Sequence, residues 1–242
     1  MEPKTKIRIL VVEDEKIVAI DLKQALRMMG YEVCRVVDSG ADAVKAVRWD
    51  KPDLVLMDIV LQGQMTGIEA ARHILEFADL PIIYITAHSD EKTFKQAKQT
   101  GPYGYIIKPA DERDLKTAIE VASFKFRMEK QLKESRRWFR DIFEQNLDSI
   151  VLIRHSDFKI LDANPRAEFL FQYSREELLE DFSVLFQNQT MFIYFKEAVY
   201  SFRDMHEDSF LDRCRLKKRD GTDIVCSIKA NAINPGGVEV LY

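Results

Sequence analysis

Five short apolar runs punctuate the first half of the chain, and each is followed by a stretch with helical spacing. The runs cover residues 7–12 (IRILVV), 31–37, 53–57 (DLVLM), 81–85 (PIIYI) and 103–107 (YGYII). Such runs are too short for core helices and read as strands, those at 7–12 and 53–57 as strands buried on both faces. Between them, Val18, Leu22, Ala25, Leu26 and Met29 mark one helix that stops at Gly30. Ala43, Val44 and Val47 give the next a narrow stripe, residues 67–77 and a polar stretch near 90–99 follow, and Asp111 caps the last. This alternation over about 125 residues predicts a doubly wound α/β domain, a parallel sheet with helices on both faces and right-handed crossovers.

Chemistry-bearing residues collect at the C-terminal ends of these strands. Glu13-Asp14 closes the first, Asp58 the third, Thr86 the fourth and Lys108 the fifth. In an open sheet of this class the strand ends converge on one crevice. Taken singly, each has an ordinary explanation: Asp58 or Thr86 as a helix cap, Lys108 as a solvated charge, Tyr105 as a packing ring. Taken together they are harder to dismiss. Three neighbouring carboxylates raise each other's pKa unless a cation neutralises them, and an all-oxygen set suits Mg²⁺ or Mn²⁺. Lys108 supplies a point charge, Thr86 a hydroxyl, and Asp58 a carboxylate able to attack a phosphoryl donor.

These residues resemble the receiver domain of two-component response regulators, over about residues 5–127. The resemblance rests on Glu13-Asp14, Asp58, Thr86-Ala87, Tyr105 and Lys108-Pro109, in that order and at family spacing. It implies a CheY-like, flavodoxin-like (βα)5 fold and phosphotransfer from a cognate histidine kinase to Asp58. It further implies a metal site of Glu13, Asp14, Asp58 and the main-chain carbonyl of Val60, and a switch made of Thr86 and Tyr105. Glu13 stands where the family more often has Asp. Val60 and His88, two residues past Asp58 and Thr86, fall where attacking water would pass; apolar Val60 is expected to slow hydrolysis, and His88 reads as an exposed loop residue.

The helical pattern does not stop at the domain edge. Leu115, Ile119, Ala122, Phe126, Leu132, Phe139 and Phe143 keep roughly helical spacing, with no Gly or Pro between Pro109 and Pro165. This reads as a helical linker, 128–145, that is either solvated or paired with its twin in a homodimer. Beyond it come strands at 149–154 and 158–162 and short helices at 166–171 and 174–179, the second with a Ser174-x-x-Glu177 capping box. A longer helix at 190–202, a hairpin of 210–217 and 222–232 around Asp220-Gly221, and a last strand at 238–242 complete an antiparallel α+β domain. This half resembles a PAS sensory domain over about 136–242. The carrying features are Phe139…Asn146…Ile150, Asp162-Ala163-Asn164-Pro165, Tyr173-Ser174-x-Glu176-Glu177-Leu178 and Lys218-Arg219-Asp220-Gly221-Thr222. The domains are placed at 1–127 and 146–242, the second open to truncation at Tyr242. The motifs expected of covalent flavin and haem sites are missing, and His155 and His206 read as solvated. Phe186, Phe192, Phe195, Phe202 and Phe210 read as core before pocket.

Bulk properties narrow the remaining classes. A net charge of -4 argues against an electrostatic grip on nucleic acid. No apolar run reaches the roughly 18 residues of a membrane span. Cys34, Cys214 and Cys226 lack metal-type spacing and read as buried thiols, and the N-terminus runs into a strand without a leader, so a cytoplasmic address is expected. A DNA-binding regulator would need a basic helix-turn-helix. An aspartyl phosphatase would need a second acid where Val60 stands. The expectation is a non-enzymatic regulator whose output is contact with a downstream protein.

Overall fold

The computed structural model describes residues 6–87, 91–201, 209–230, 232–233 and 240–241. The chain divides into two compact units, Met1–Lys133 and Glu134–Tyr242. In the first, β1 (Arg8–Val12), β2 (Glu32–Val37), β3 (Leu54–Asp58), β4 (Ile82–Thr86) and β5 (Gly104–Ile107) form one parallel sheet in the order β2-β1-β3-β4-β5. Every residue of β3 and β4 is buried, as their unbroken apolar character requires.

The helices are α1 (Lys16–Met28), α2 (Gly40–Asp50), α3 (Gly67–Leu75), α4 (Glu91–Lys98) and α5 (Glu112–Gln145). Strand alternation deals them to two faces. Leu10, Val55, Met57 and Tyr84 meet Ala43 and Val47 of α2, Ala70 and Ile74 of α3, and Ala97 of α4. Ile9, Val11, Leu56 and Ile85 meet Leu22 and Leu26 of α1 and Leu115, Ile119 and Ala122 of α5. Each such aliphatic side chain taken out of water contributes about 1.5–3 kcal/mol. After Ala122, α5 keeps further holds on the first unit, among them an ion pair of Lys133 with Asp79 at 3.9 Å. The Tyr103 ring meets the edge of Phe126 at 5.6 Å, and its hydroxyl donates to Glu129 Oε2 at 2.7 Å.

In the second unit the elements are β6 (Val151–Arg154), β7 (Ile160–Ala163), α6 (Pro165–Phe171), α7 (Arg175–Glu180), a 3-10 turn (Phe182–Leu185), α8 (Gln189–Ser201), β8 (Ser209–Lys217), β9 (Asp223–Ala230), β10 (Ala232–Ile233) and β11 (Val240–Leu241). All strand pairs are antiparallel. Among the described residues they form two ladders: β10-β11-β6-β7, and the β8–β9 hairpin. Gly221 turns that hairpin with φ +87°, and Ser174 and Glu177 close the expected capping box of α7.

Phe186 and Phe195 are buried in the core of this unit, and Phe182 and Phe192 pack against it. Phe186 stacks within 5.2 Å of both Phe192 and Phe195, and Phe182 sets its edge against Phe186 at 5.5 Å. The side chains of Phe202, His206 and Phe210, and His88 in the first unit, lie outside the described residues. His155 corrects an expectation: it is buried rather than solvated, at 6% exposure. The tight turn from β6 to β7, with Phe158 at φ +56°, folds the imidazole beside the Phe158 ring. Asn164 is wholly buried and ties four backbone groups together. Its Oδ1 accepts from the N–H of Ile150 (2.9 Å) and Ala167 (3.0 Å), and its Nδ2 donates to the carbonyls of Phe143 (3.1 Å) and Asp148 (2.9 Å).

Candidate functional site

The crevice lies where the strand order reverses, at the C-terminal ends of β1 and β3. Asp58 ends β3 and is 5% exposed. Its Oδ1 accepts from the Val60 N–H at 2.9 Å, and its Oδ2 accepts from Lys108 Nζ at 2.5 Å. Lys108 follows β5 and reaches back over β4, where its N–H donates to the Thr86 carbonyl at 2.8 Å. The Lys108–Pro109 peptide is cis. The same Nζ lies 2.7 Å from Glu13 Oε2, so one ammonium bridges acids delivered by two neighbouring strands. Glu13 is 2% exposed, Asp14 is half-buried, and carboxylate oxygens of Glu13, Asp14 and Asp58 lie within 4.8 Å of one another.

Electrostatics set the tension of the site. Burial pushes the Glu13 carboxyl up from its ordinary value, and the neighbouring Asp58 charge adds to this, against the pull of Lys108. Burial works the other way on Lys108, but its contacts with the Asp58 and Glu13 carboxylates outweigh it and hold the ammonium above its usual value. Glu13 Oε2 touches Lys108 only as a charge contact and is left without a well-directed hydrogen bond. A buried carboxylate oxygen without a well-directed hydrogen bond, among three clustered acids, fits a hard divalent cation.

Thr86 is buried at the end of β4, beside this cluster in the sheet. Tyr105 sits on β5 opposite Tyr84 and packs on the other side against Phe94 of α4, with ring centroids 5.8 and 4.5 Å away. Its hydroxyl is buried and makes no hydrogen bond among the described residues. Val60 is 63% exposed at the rim. Six of the seven candidates therefore lie at the C-terminal ends of β1, β3, β4 and β5 or just past them, and Tyr105 lies within β5.

Two supporting residues escaped the reading of the sequence. A Cβ on Gly67 would stand 1.8 Å from the Asp58 carbonyl oxygen, so only glycine lets α3 begin against the Asp58 backbone. Thr66 fixes that start through a capping box with Glu69: its hydroxyl accepts from the Glu69 N–H, and the Glu69 carboxylate accepts from the Thr66 N–H at 2.8 Å. The Thr66-x-x-Glu69 pattern carries that signal in sequence. The close approach of Gly67 has no local signal.

Comparison with known proteins accounts for both units. Residues 9–120 match the family model of the response regulator receiver domain, and residues 137–206 match a PAS domain model. The chain is 35% identical to Protein PilH of Pseudomonas aeruginosa over 117 residues, covering 95% of that protein and 47% of this chain. It is 38% identical over 120 residues to the transcriptional regulatory protein PdtaR of Mycobacterium tuberculosis, covering 50% of this chain but only 58% of that relative. Among solved structures, NtrX from Brucella abortus superposes with a TM-score of 0.50 at 28% identity, covering 53% of this chain and 30% of that one.

Proposed function

The chain belongs to the response-regulator receiver family, with a PAS domain behind its receiver, and from that premise we propose that Asp58 is its phosphoryl acceptor. The observation that carries the reading is the buried Asp58 carboxylate, held by Lys108 and ringed by Glu13 and Asp14. The donor is a phosphohistidine of a partner kinase. An Asp58 oxygen attacks phosphorus, the P–N bond breaks, and an aspartyl phosphate forms. Val60 N–H and Lys108 hold the acceptor in one orientation, so little reorganisation is needed at attack. Lys108 then pairs with a phosphoryl oxygen. Glu13, Asp14, Asp58 and the Val60 carbonyl would hold Mg²⁺, which supplies neutralisation of the phosphoryl charge. Thr86 and Tyr105 read the new group: the hydroxyl turns onto it, and the Tyr105 ring follows into the space vacated.

The receiver is placed at 1–127, the linker at 128–145 and the PAS domain at 146–242. Output runs through α5. Val121, Phe124, Met128, Leu132, Trp138 and Ile142 stand exposed on it at spacings of three, four and six residues, an apolar stripe suited to a second copy of the chain. The PAS unit completes a dimer whose altered form is read by a downstream protein. No helix among the described residues is long and apolar enough to cross a membrane. The family reading makes this a switch and not an enzyme beyond its own phosphorylation and dephosphorylation.

The test is acetyl phosphate labelling with Mg²⁺, alongside sedimentation with a phosphoryl mimic. Label on residue 58 that is absent from Asp58→Ala, and an oligomer shift confined to the wild type, are the expected results. Label elsewhere, or none at all, refutes the assignment.

A further inference from the structure

The β8–β9 hairpin brings two of the three cysteines face to face. Cys214 and Cys226 are register partners in the antiparallel ladder. That pairing depends on a bulge. Leu211 pairs with Ile228, and the next in-register pair on this face is Cys214 with Cys226, so three steps along β8 match two along β9. Arg213 absorbs the extra residue at φ +54°, a left-handed conformation that side chains with a Cβ rarely adopt. Without the bulge, plain alternation from Leu211 would put Arg213 opposite Cys226 and turn Cys214 outward. With it, Cys214 and Leu216 share the half-buried face with Ile224, Cys226 and Ile228, while Asp212 and Ser227 bond on the outer face at 2.8 Å.

The geometry of such a pair suits a covalent link. Directly opposed antiparallel residues have Cα atoms about 4.5–5.5 Å apart, inside the roughly 4.4–6.8 Å that a disulfide spans. Cys226 Sγ already lies across the ladder, 3.7 Å from the Cys214 carbonyl oxygen. Both thiols are free.

We propose that Cys214 and Cys226 are a two-electron redox pair of the PAS domain, which a hydroperoxide closes to a cross-strand disulfide. One sulfur takes the terminal peroxide oxygen: the O–O bond breaks, an S–O bond forms, and water or an alcohol leaves. The second sulfur attacks that sulfenic acid, the S–S bond forms, and the S–O bond breaks with loss of a second water. Two electrons pass from the sulfurs to the peroxide. Burial pushes both thiols up, with Asp212 adding to this at Cys214 and the partner thiol at Cys226, which keeps the thiolate fraction small and closure slow. Cys34 has no cysteine opposite it, and its Sγ points to the Ile9 carbonyl at 3.3 Å, so it serves as an internal control.

The full chain is treated with hydrogen peroxide, alkylated and digested with trypsin. The expected product joins fragment 214–215 to fragment 220–229, and free thiols fall from three to one, recovering to three with dithiothreitol. Cys214→Ser and Cys226→Ser each abolish the linked fragment, while Cys34→Ser leaves it intact. In the double variant Val225→Cys, Cys226→Ser, the thiol moves one residue to the exposed face, and no link to Cys214 forms at the same dose. Three free thiols after peroxide, oxidation only to sulfinic acid, a bond between copies, or an equal yield from the displaced thiol would overturn the proposal.

Discussion

Each unit of this chain buries polar side chains, and it treats them in opposite ways. Asn164 in the second unit spends both ends of its amide on four backbone groups. Glu13 in the first keeps a buried oxygen that meets Lys108 as a charge contact without a well-directed hydrogen bond, beside an acid that repels it, and Tyr105 keeps a buried hydroxyl with no hydrogen bond among the described residues. A satisfied buried amide is structure: it fixes where the end of α5, β6 and α6 begin and stop. An under-satisfied acidic cluster has the chemistry of a cation site, at a cost in stability. The contrast teaches where to look for function in a two-unit chain, and it can be broken by experiment.

The largest effect is expected at the satisfied side. Asn164→Ala takes the side-chain partner from the Ile150 N–H and from the Phe143 and Asp148 carbonyls, while the Ala167 N–H keeps its bond to the residue 164 carbonyl, and should cost about 3–5 kcal/mol. Hydrogen exchange should show protection lost across Glu134–Tyr242 and kept in the parallel sheet; equal loss in both units would break the contrast. Gly67→Ala comes next, at about 2–3 kcal/mol, because its Cβ can be housed only by moving the Asp58 backbone. Urea unfolding should register that loss, and acetyl phosphate labelling of residue 58 should drop at least tenfold; normal labelling would mean the acceptor tolerates displacement.

Glu13→Gln should act with the opposite sign. Its carboxyl is raised in the folded chain, so its contribution is fully present below the unfolded carboxyl pKa and is lost as pH rises through the folded value. At neutral pH without divalent metal, the neutral amide should therefore stabilise the first unit by about 1 kcal/mol while weakening Mg²⁺ binding. A destabilised variant in chelator would show that Lys108 already satisfies the acid. The smallest effect belongs to Tyr103→Phe. Losing one hydroxyl bond to Glu129 should cost about 1 kcal/mol or less, read as faster amide exchange in residues 125–133 with the sheet unchanged.

The two halves also differ in how much of them could be read from residues alone. The parallel sheet was legible to within a residue or two at each strand, because runs such as Leu54-Val55-Leu56-Met57 tolerate no exposed face. The convergence of the candidate residues was legible too, since a parallel sheet brings its strand ends together whatever lies between. What stayed hidden depended on approach in three dimensions. Gly67 reads as an ordinary residue at the start of the 67–77 helix, and nothing local tells that α3 starts on the Asp58 carbonyl. His155 looked like a wet turn residue until the turn folded it against Phe158. The hairpin was legible from Asp220-Gly221, but the phase change at Arg213 was not, because Leu-Asp-Arg-Cys-Arg-Leu has no feature that tells which residue will be skipped.

Asn164 has one more property that follows from its neighbour. Asparagine decays over time when the next backbone nitrogen attacks the side-chain amide and closes a five-membered imide. Here that nitrogen belongs to Pro165, which carries no hydrogen to give up. The residue on which four backbone groups converge is thereby shielded from the commonest route of spontaneous ageing, and the second unit should keep its fold in long-lived protein after more exposed asparagines have turned to aspartate.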